Sequence, residues 1–134
     1  MNVILDTNVL LSAFLTDGIC ARILKRARHK HFAFILCEPI LNETKTHLKN
    51  KFSLTNRDIE LFVSILLESA DMKYSPKGKL SGVCRDPDDD IILLCAAETK
   101  SAFLVTGDND LLILKKYKRT KIISPREFEL LFKD

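Results

Sequence analysis

The chain has 134 residues, 46% of them hydrophobic and 29% charged, with a formal net charge of +3. That length suits one domain over 1–134 with a real core, and the composition excludes a disordered or fibrous chain. The longest apolar run, Ile91 to Ala97, is too short to cross a bilayer, so no membrane partner is expected.

Asn2 to Leu5 (NVIL) is a short apolar run and reads as a buried strand. Thr7 or Asn8 is suited to cap the helix that comes next, Val9 to Leu15. Gly18 breaks the pattern, and a second helix runs from Ile19 to Arg28. Phe32 to Cys37 (FAFILC) is rich in β-formers and reads as the second strand. Pro39 suits the first turn of a helix reaching Leu48. Thr55 starts another, along which Ile59, Phe62, Val63, Leu66 and Leu67 recur at helical spacing. Met72 to Tyr74 reads as a short strand, and Pro76, Gly78 and Gly82 mark a loop. Asp86-Pro87 opens a strongly apolar helix ending near Lys100. Phe103 to Thr106 is a strand, Leu111 to Lys115 a short helix, and Lys121 to Ile123 the last strand. Ser124-Pro125-Arg126-Glu127 carries a capping box with proline at the first helical position, so a final helix is expected to reach Phe132.

Strands alternating with helices predict right-handed crossovers and an α/β fold, a three-layer α/β/α sandwich around a mostly parallel sheet of about five strands. The strands are continuous apolar runs, as expected when both faces are covered. In such sheets ligands bind beyond the carboxyl ends of the strands. Asp6 directly follows the first strand, and Gly107-Asp108-Asn109-Asp110 follows Phe103 to Thr106. Asp86 to Asp90 heads the most apolar helix. Carboxylates brought to one edge repel one another unless a cation binds, and oxygen-only ligands suit magnesium or manganese. Asp86 is a good helix cap, and Asp88 and Asp89 favour the helix dipole. Asp90 shares a face with Leu93, Leu94 and Ala97, with no basic residue near in sequence, and so becomes the functional candidate of that cluster. Of Asp108 and Asp110, one can cap the next helix while the other binds metal; Asp108 lies nearer the strand end, and Asp110 can join it.

The remaining chemistry is plainer. Cys20, Cys37, Cys84 and Cys95 form no Cys-x-x-Cys pair, so free buried thiols are expected rather than a disulfide framework or zinc site. Met1 leads straight into a strand with no secretory leader, and a cytoplasmic location is expected. His29, His31 and His47 lie in polar or basic surroundings and are expected at the surface. Basic residues gather at Arg22, Lys25, Arg26, Arg28 and Lys30, and again at Lys115, Lys116, Lys118, Arg119 and Lys121. Both runs are read as ends of helices, where cations favour the dipole.

Taken in order, the acidic segments resemble the PIN-domain family of ribonucleases. Ile4-Leu5-Asp6-Thr7-Asn8-Val9-Leu10 is similar to its first motif, with the leading catalytic aspartate at Asp6. Leu41-Asn42-Glu43 resembles its central acidic segment, putting the glutamate at Glu43, with Glu38 as the rival position. Asp90-Ile91-Ile92-Leu93-Leu94-Cys95-Ala96-Ala97 is similar to the aspartate-led apolar helix, and Val105 to Leu112 to the fourth motif, with its acid at Asp108 and Asp110 beside it. Ile123 to Phe128 resembles a subgroup of VapC-like toxins from toxin–antitoxin pairs. The resemblance spans almost the whole chain. It implies cleavage of single-stranded RNA dependent on Mg2+ or Mn2+, with Asp6, Asp90, Asp108 and Asp110 toward metal and Glu43 orienting water. Thr7, Asn8 and Thr106 fall to supporting hydrogen bonds. It also implies an antitoxin protein and a homodimer as partners.

Two other readings set the terms of a test. A magnesium-dependent phosphohydrolase using Asp6 as nucleophile wants an aspartate two residues on, where this chain has Asn8. A module that binds RNA or protein without cutting needs no complete acidic set.

Overall fold

The computed structural model describes residues 1–133. In chain order the elements are β1 (Asn2–Leu5), α1 (Thr7–Leu15), α2 (Ile19–Arg28), β2 (Ala33–Cys37), α3 (Glu38–Asn50), α4 (Asn56–Ser69) and β3 (Met72–Tyr74). Next come α5 (Pro87–Glu98), β4 (Phe103–Val105), α6 (Asn109–Leu112), β5 (Lys116–Tyr117), β6 (Thr120–Ile123) and α7 (Pro125–Glu129). The strands form one sheet in the order β3-β2-β1-β4-β6-β5, parallel throughout except for the β5–β6 hairpin. This is the expected α/β architecture with one strand more. A two-residue edge strand such as Lys116-Tyr117 carries no periodicity for a sequence reading to find.

Val3, Ile4, Leu5, Phe34, Leu36 and Leu104 are almost fully buried, which is why these strands read as unbroken apolar runs. The chain leaves β1 toward β2 on one side and returns to β4 on the other, so the strand order reverses around β1. A crevice therefore opens beyond the carboxyl ends of β1 and β4, the place where open α/β sheets bind ligands. No single helix among the described residues is long and apolar enough to cross a membrane.

Three local expectations are corrected. Asp6, rather than Thr7 or Asn8, caps α1, its carboxylate accepting from the Thr7 amide. Cys37 and Cys95 are not free thiols but a disulfide joining the end of β2 to the middle of α5; only Cys20 and Cys84 remain free. The partners lie 58 residues apart, and packing rather than spacing brings them together. The second basic run does not end a helix; Lys116 to Lys121 form the β5–β6 hairpin. The first run does end α2, and part of it is spoken for: Arg26 and Arg22 pair with Glu129 beside α7, and Lys30 with Asp71. The predicted capping box at Ser124 is present, and α7 places Phe128 in the core.

Candidate active site

The site begins with a strand that ends in an acid. Asp6 is 4% exposed, held at the lip of β1 by its own amide bonding to the Val105 carbonyl. Its Oδ2 accepts from Thr106 Oγ1 at 2.7 Å and from Asn8 Nδ2 at 3.4 Å, and its Oδ1 from the Thr7 amide at 2.8 Å. Thr106 in turn accepts from the Asp108 amide at 3.0 Å, and Asn8 Oδ1 from the Gly107 amide at 2.9 Å. The ends of β1 and β4 are thus sewn together by the residues expected to support the acids. Asp108 also caps α6, its Oδ1 accepting from the Asp110 amide. Of the two acids between which the sequence leaves a choice, Asp108 is thus the cap.

On α5 the structure exchanges two neighbours. Asp90 is 2% exposed, but its Oδ1 accepts from the Cys84 amide at 2.7 Å, and the carboxylate ties down the loop before the helix. The Cys84 thiol, buried beside it and facing the charges of Asp90, Asp89 and Asp108, is pushed up to about 12 and stays protonated. Asp89, assigned to the helix dipole from sequence, is the residue of α5 that stands in the field of Asp108, Asp6, Asp86 and Asp110. The phase of the helix explains the exchange. Asp89 heads the stripe Ile92, Leu93, Ala96, all buried, whereas Ile91 is 38% exposed and Leu94 only partly covered. The helix is therefore buried on the Asp89 side.

Glu43 on α3 is half-buried and near enough to Asp6 to act on it electrostatically. With Thr7, Pro39, Ile40, Asp88, Ile91 and Ile92 it lines a recess of about 190 Å3. Its rival Glu38 turns away and accepts from Ser75 Oγ at 2.7 Å. That bond closes one wall of an adjoining groove of about 610 Å3, which shares Pro39 and Ile91 with the recess. The groove's loop is pinned by Glu98, which accepts from the Lys77 and Gly78 amides and from Tyr74 Oη. A Cβ on Gly78 would approach Glu98 Oε2 to 3.0 Å, so the clamp needs glycine there.

The electrostatics are lopsided. Burial raises the Asp6 carboxyl; hydrogen bonds from Thr106 and Thr7 oppose the rise, and the charges of Glu43 and Asp108 add to it. Asp89 is pushed up to about 7 by burial and by its four acidic neighbours. The ion pairs found among the described residues lie elsewhere, at Glu129 and Asp71, so no protein cation offsets these acids. Thr7 Oγ1 is buried without a hydrogen-bond partner and belongs to the recess. Hard oxygen donors, uncompensated charge and an orphaned hydroxyl fit a divalent cation such as magnesium or manganese. No group of three acidic, histidine or cysteine side chains is already gathered in metal-holding geometry among the described residues.

The chain is similar to the uncharacterized protein MJ1680 of Methanocaldococcus jannaschii, at 29% identity over 96% of this chain and 89% of that protein. Its fold is similar to that of a chain in the crystal structure of VapBC2 from Rickettsia felis bound to a DNA fragment from their promoter. That match has a TM-score of 0.66 and 15% identity, and covers 92% of this chain and 98% of the other. The PIN domain family model matches residues 2–110, from the strand that delivers Asp6 through the acids after β4. Beyond that span, β6 and β5 extend the same sheet and α7 packs on it. Carrying this family's pattern over most of its length, the chain belongs to the PIN domain family.

Proposed function

We propose that residues 1–134 form one PIN-like nuclease domain, an endoribonuclease that cuts single-stranded RNA with Mg2+ or Mn2+ and acts as the toxin of a toxin–antitoxin pair. The observation that carries this reading is the gathering of Asp6, Glu43, Asp89 and Asp108 at the crevice beyond β1 and β4, away from the ion pairs found among the described residues. Asp6, Asp89 and Asp108 would hold the metal, with Asp110 at the margin and Glu43 facing the same recess. A bound divalent ion supplies positive charge to a phosphodiester and makes a water more acidic.

The chain's own residues set the stage for that. Thr106 Oγ1 fixes Asp6 and the Asp108 backbone relative to each other through a single hydroxyl. Asn8 holds Asp6 and the Gly107 turn at once. Asp89, pushed up to about 7 by burial and its acidic neighbours, is costly to ionise alone, a cost that a bound cation would relieve. Asp90 is assigned a positioning part, keeping the loop before α5 against the helix. The adjoining groove gives a strand a path past the recess.

The partner proteins are inferred from likeness. A solved structure of similar fold is a VapBC2 complex, which supports an antitoxin and a homodimer as partners here. We place the enzyme in the cytoplasm, where such RNA lies. The Cys37–Cys95 bridge is almost fully buried, which shields it from thiol reductants.

The deciding experiment is cleavage of a labelled single-stranded RNA by wild type, Asp6→Asn, Asp89→Asn and Asp108→Asn, each with manganese, magnesium or EDTA. Cleavage by wild type alone, and only with metal, is the expected result. Undiminished metal-dependent cleavage by all three variants would sink the assignment. A folded wild type that binds RNA without cutting it would make the chain a binding module of this fold.

A further inference from the structure

At the end of α5 remote from the acids, three cations stand around a shallow dent. Lys100 lies just past the helix, and Lys118 and Arg119 form the turn of the β5–β6 hairpin. Together with Ala96, Ala97 and Thr120 they line a space of about 220 Å3 with an alanine floor. The amide of Lys121 bonds to the Ala102 carbonyl and Thr120 Oγ1 to the Ser101 carbonyl, fixing the hairpin against the start of β4.

These cations differ from those of α2. Among the described residues Lys100, Lys118 and Arg119 have no carboxylate partner; Lys118 lies over the Tyr117 ring at 5.7 Å. Their backbones are also unfavourable for lysine. Lys100 and Lys118 take φ of 52° and 51°, and nearby Lys115 takes 61°. Glycine or asparagine holds that left-handed conformation more cheaply. Across the hairpin Lys116 stands directly opposite Lys121, both exposed, a like-charged pairing that weakens a two-strand ribbon. Positive charge is thus placed where neither local conformation nor strand pairing favours it.

We propose that this patch binds the phosphate backbone of the single-stranded RNA whose scissile phosphate sits at the acidic site, holding the strand away from the point of cleavage. This rests on the ribonuclease reading. The cations are mostly lysines, point charges that hold phosphate without bidentate readout. The apolar surface of the dent is small, made of two alanines and the stems of its polar neighbours, too little to anchor a folded protein or acidic helix. From Asp89 to Lys100 the helix axis spans about 16 Å, so a strand reaching both sites needs about five stacked nucleotides or more.

The test uses the triple variant Lys100→Asn/Lys118→Asn/Arg119→Gln, in which asparagine tolerates the left-handed backbone. Anisotropy of a labelled 20-nucleotide RNA in EDTA is tracked across a salt series, and cleavage of 20- and 3-nucleotide RNAs, the latter too short to reach both sites, is timed in manganese. The variant is expected to bind the long RNA about tenfold more weakly at low salt, with the salt slope reduced by about 2. Its KM for the long RNA rises, its rate on the short RNA matches wild type, and its Tm is unchanged or higher. Equal affinity and equal salt slope for the long RNA would overturn the proposal while leaving the nuclease reading intact. Polyglutamate binding that matches RNA in wild type and is lost in the variant would overturn it in favour of an acidic protein partner. If neither protein cuts either RNA, the nuclease reading fails, and the EDTA measurement still decides whether the patch holds RNA.

Discussion

The two ends of α5 carry opposite charge, and the molecule builds them in different ways. At the start of the helix three of the acids are buried or half-buried and held by hydrogen bonds: Asp6 by Thr106 and Thr7, Asp90 by the Cys84 amide, Asp108 through the Thr106–amide link. At the far end the cations are exposed and carry no ion pair among the described residues. Fixed donors suit a ligand that demands geometry, such as a small hard cation. Mobile charges suit one that demands only neutralisation, such as a phosphate chain.

The largest expected effect separates two neighbours on the acidic end. Asp89→Asn should lower metal-dependent cleavage by about 10^3-fold or more while raising stability in EDTA, because an uncompensated buried charge is removed. Asp90→Asn keeps an oxygen for the Cys84 amide and should retain most of the activity. Equal loss in both variants with unchanged Tm would return the metal to Asp90. Next in size is Thr106→Val, which frees both Asp6 and the Asp108 amide; kcat should fall by about 10–100-fold in a steady-state assay.

The pH dependence comes third. Asp89 moves from an ordinary 3.8 to about 7 on folding. Between those values the folded chain holds a proton that the unfolded chain has released, so stability falls as pH rises through the window. Thermal melts in EDTA should show Tm about 9 °C higher at pH 5 than at pH 8, and Asp89→Asn should flatten that difference. A Tm that instead climbs with pH would show that Asp89 is not protonated in the fold. Smallest is Lys121→Glu, which turns a like-charged pair into an attractive one. Urea unfolding should report a gain of about 0.2–1 kcal/mol, and no gain would mean that solvent already screens Lys116 from Lys121.

Much of the fold and of the site is legible in the amino-acid sequence, for reasons that also mark the limits of such reading. Asp6 and Asp108 come after apolar runs that only a buried parallel strand explains, and parallel strands deliver the residues at their carboxyl ends to one edge. Asp89 and Asp90 head stripes that look equally apolar, since Ile91 and Leu94 are as hydrophobic as Ile92 and Ala96. Only the packing of α5 shows which stripe is covered. Sequence directs the search for an Asp90 partner to basic side chains, whereas the structure supplies a backbone amide, which any residue type but proline carries. The disulfide leaves no trace because its cysteines belong to separate elements. The hairpin is hidden inside a basic run that looks like the end of a helix.

The Cys37–Cys95 bridge also bears on how the chain survives a cut. It spans the exposed stretch 75–86 that lies between β3 and α5, where the chain has neither helix nor strand. A protease that cuts there divides the acids between two pieces, Asp6 and Glu43 in one, Asp89 and Asp108 in the other. The pieces remain one molecule, running as a single band on a gel until a reductant parts them. A nicked chain can therefore keep both halves of its acidic crevice in register after its backbone has lost continuity.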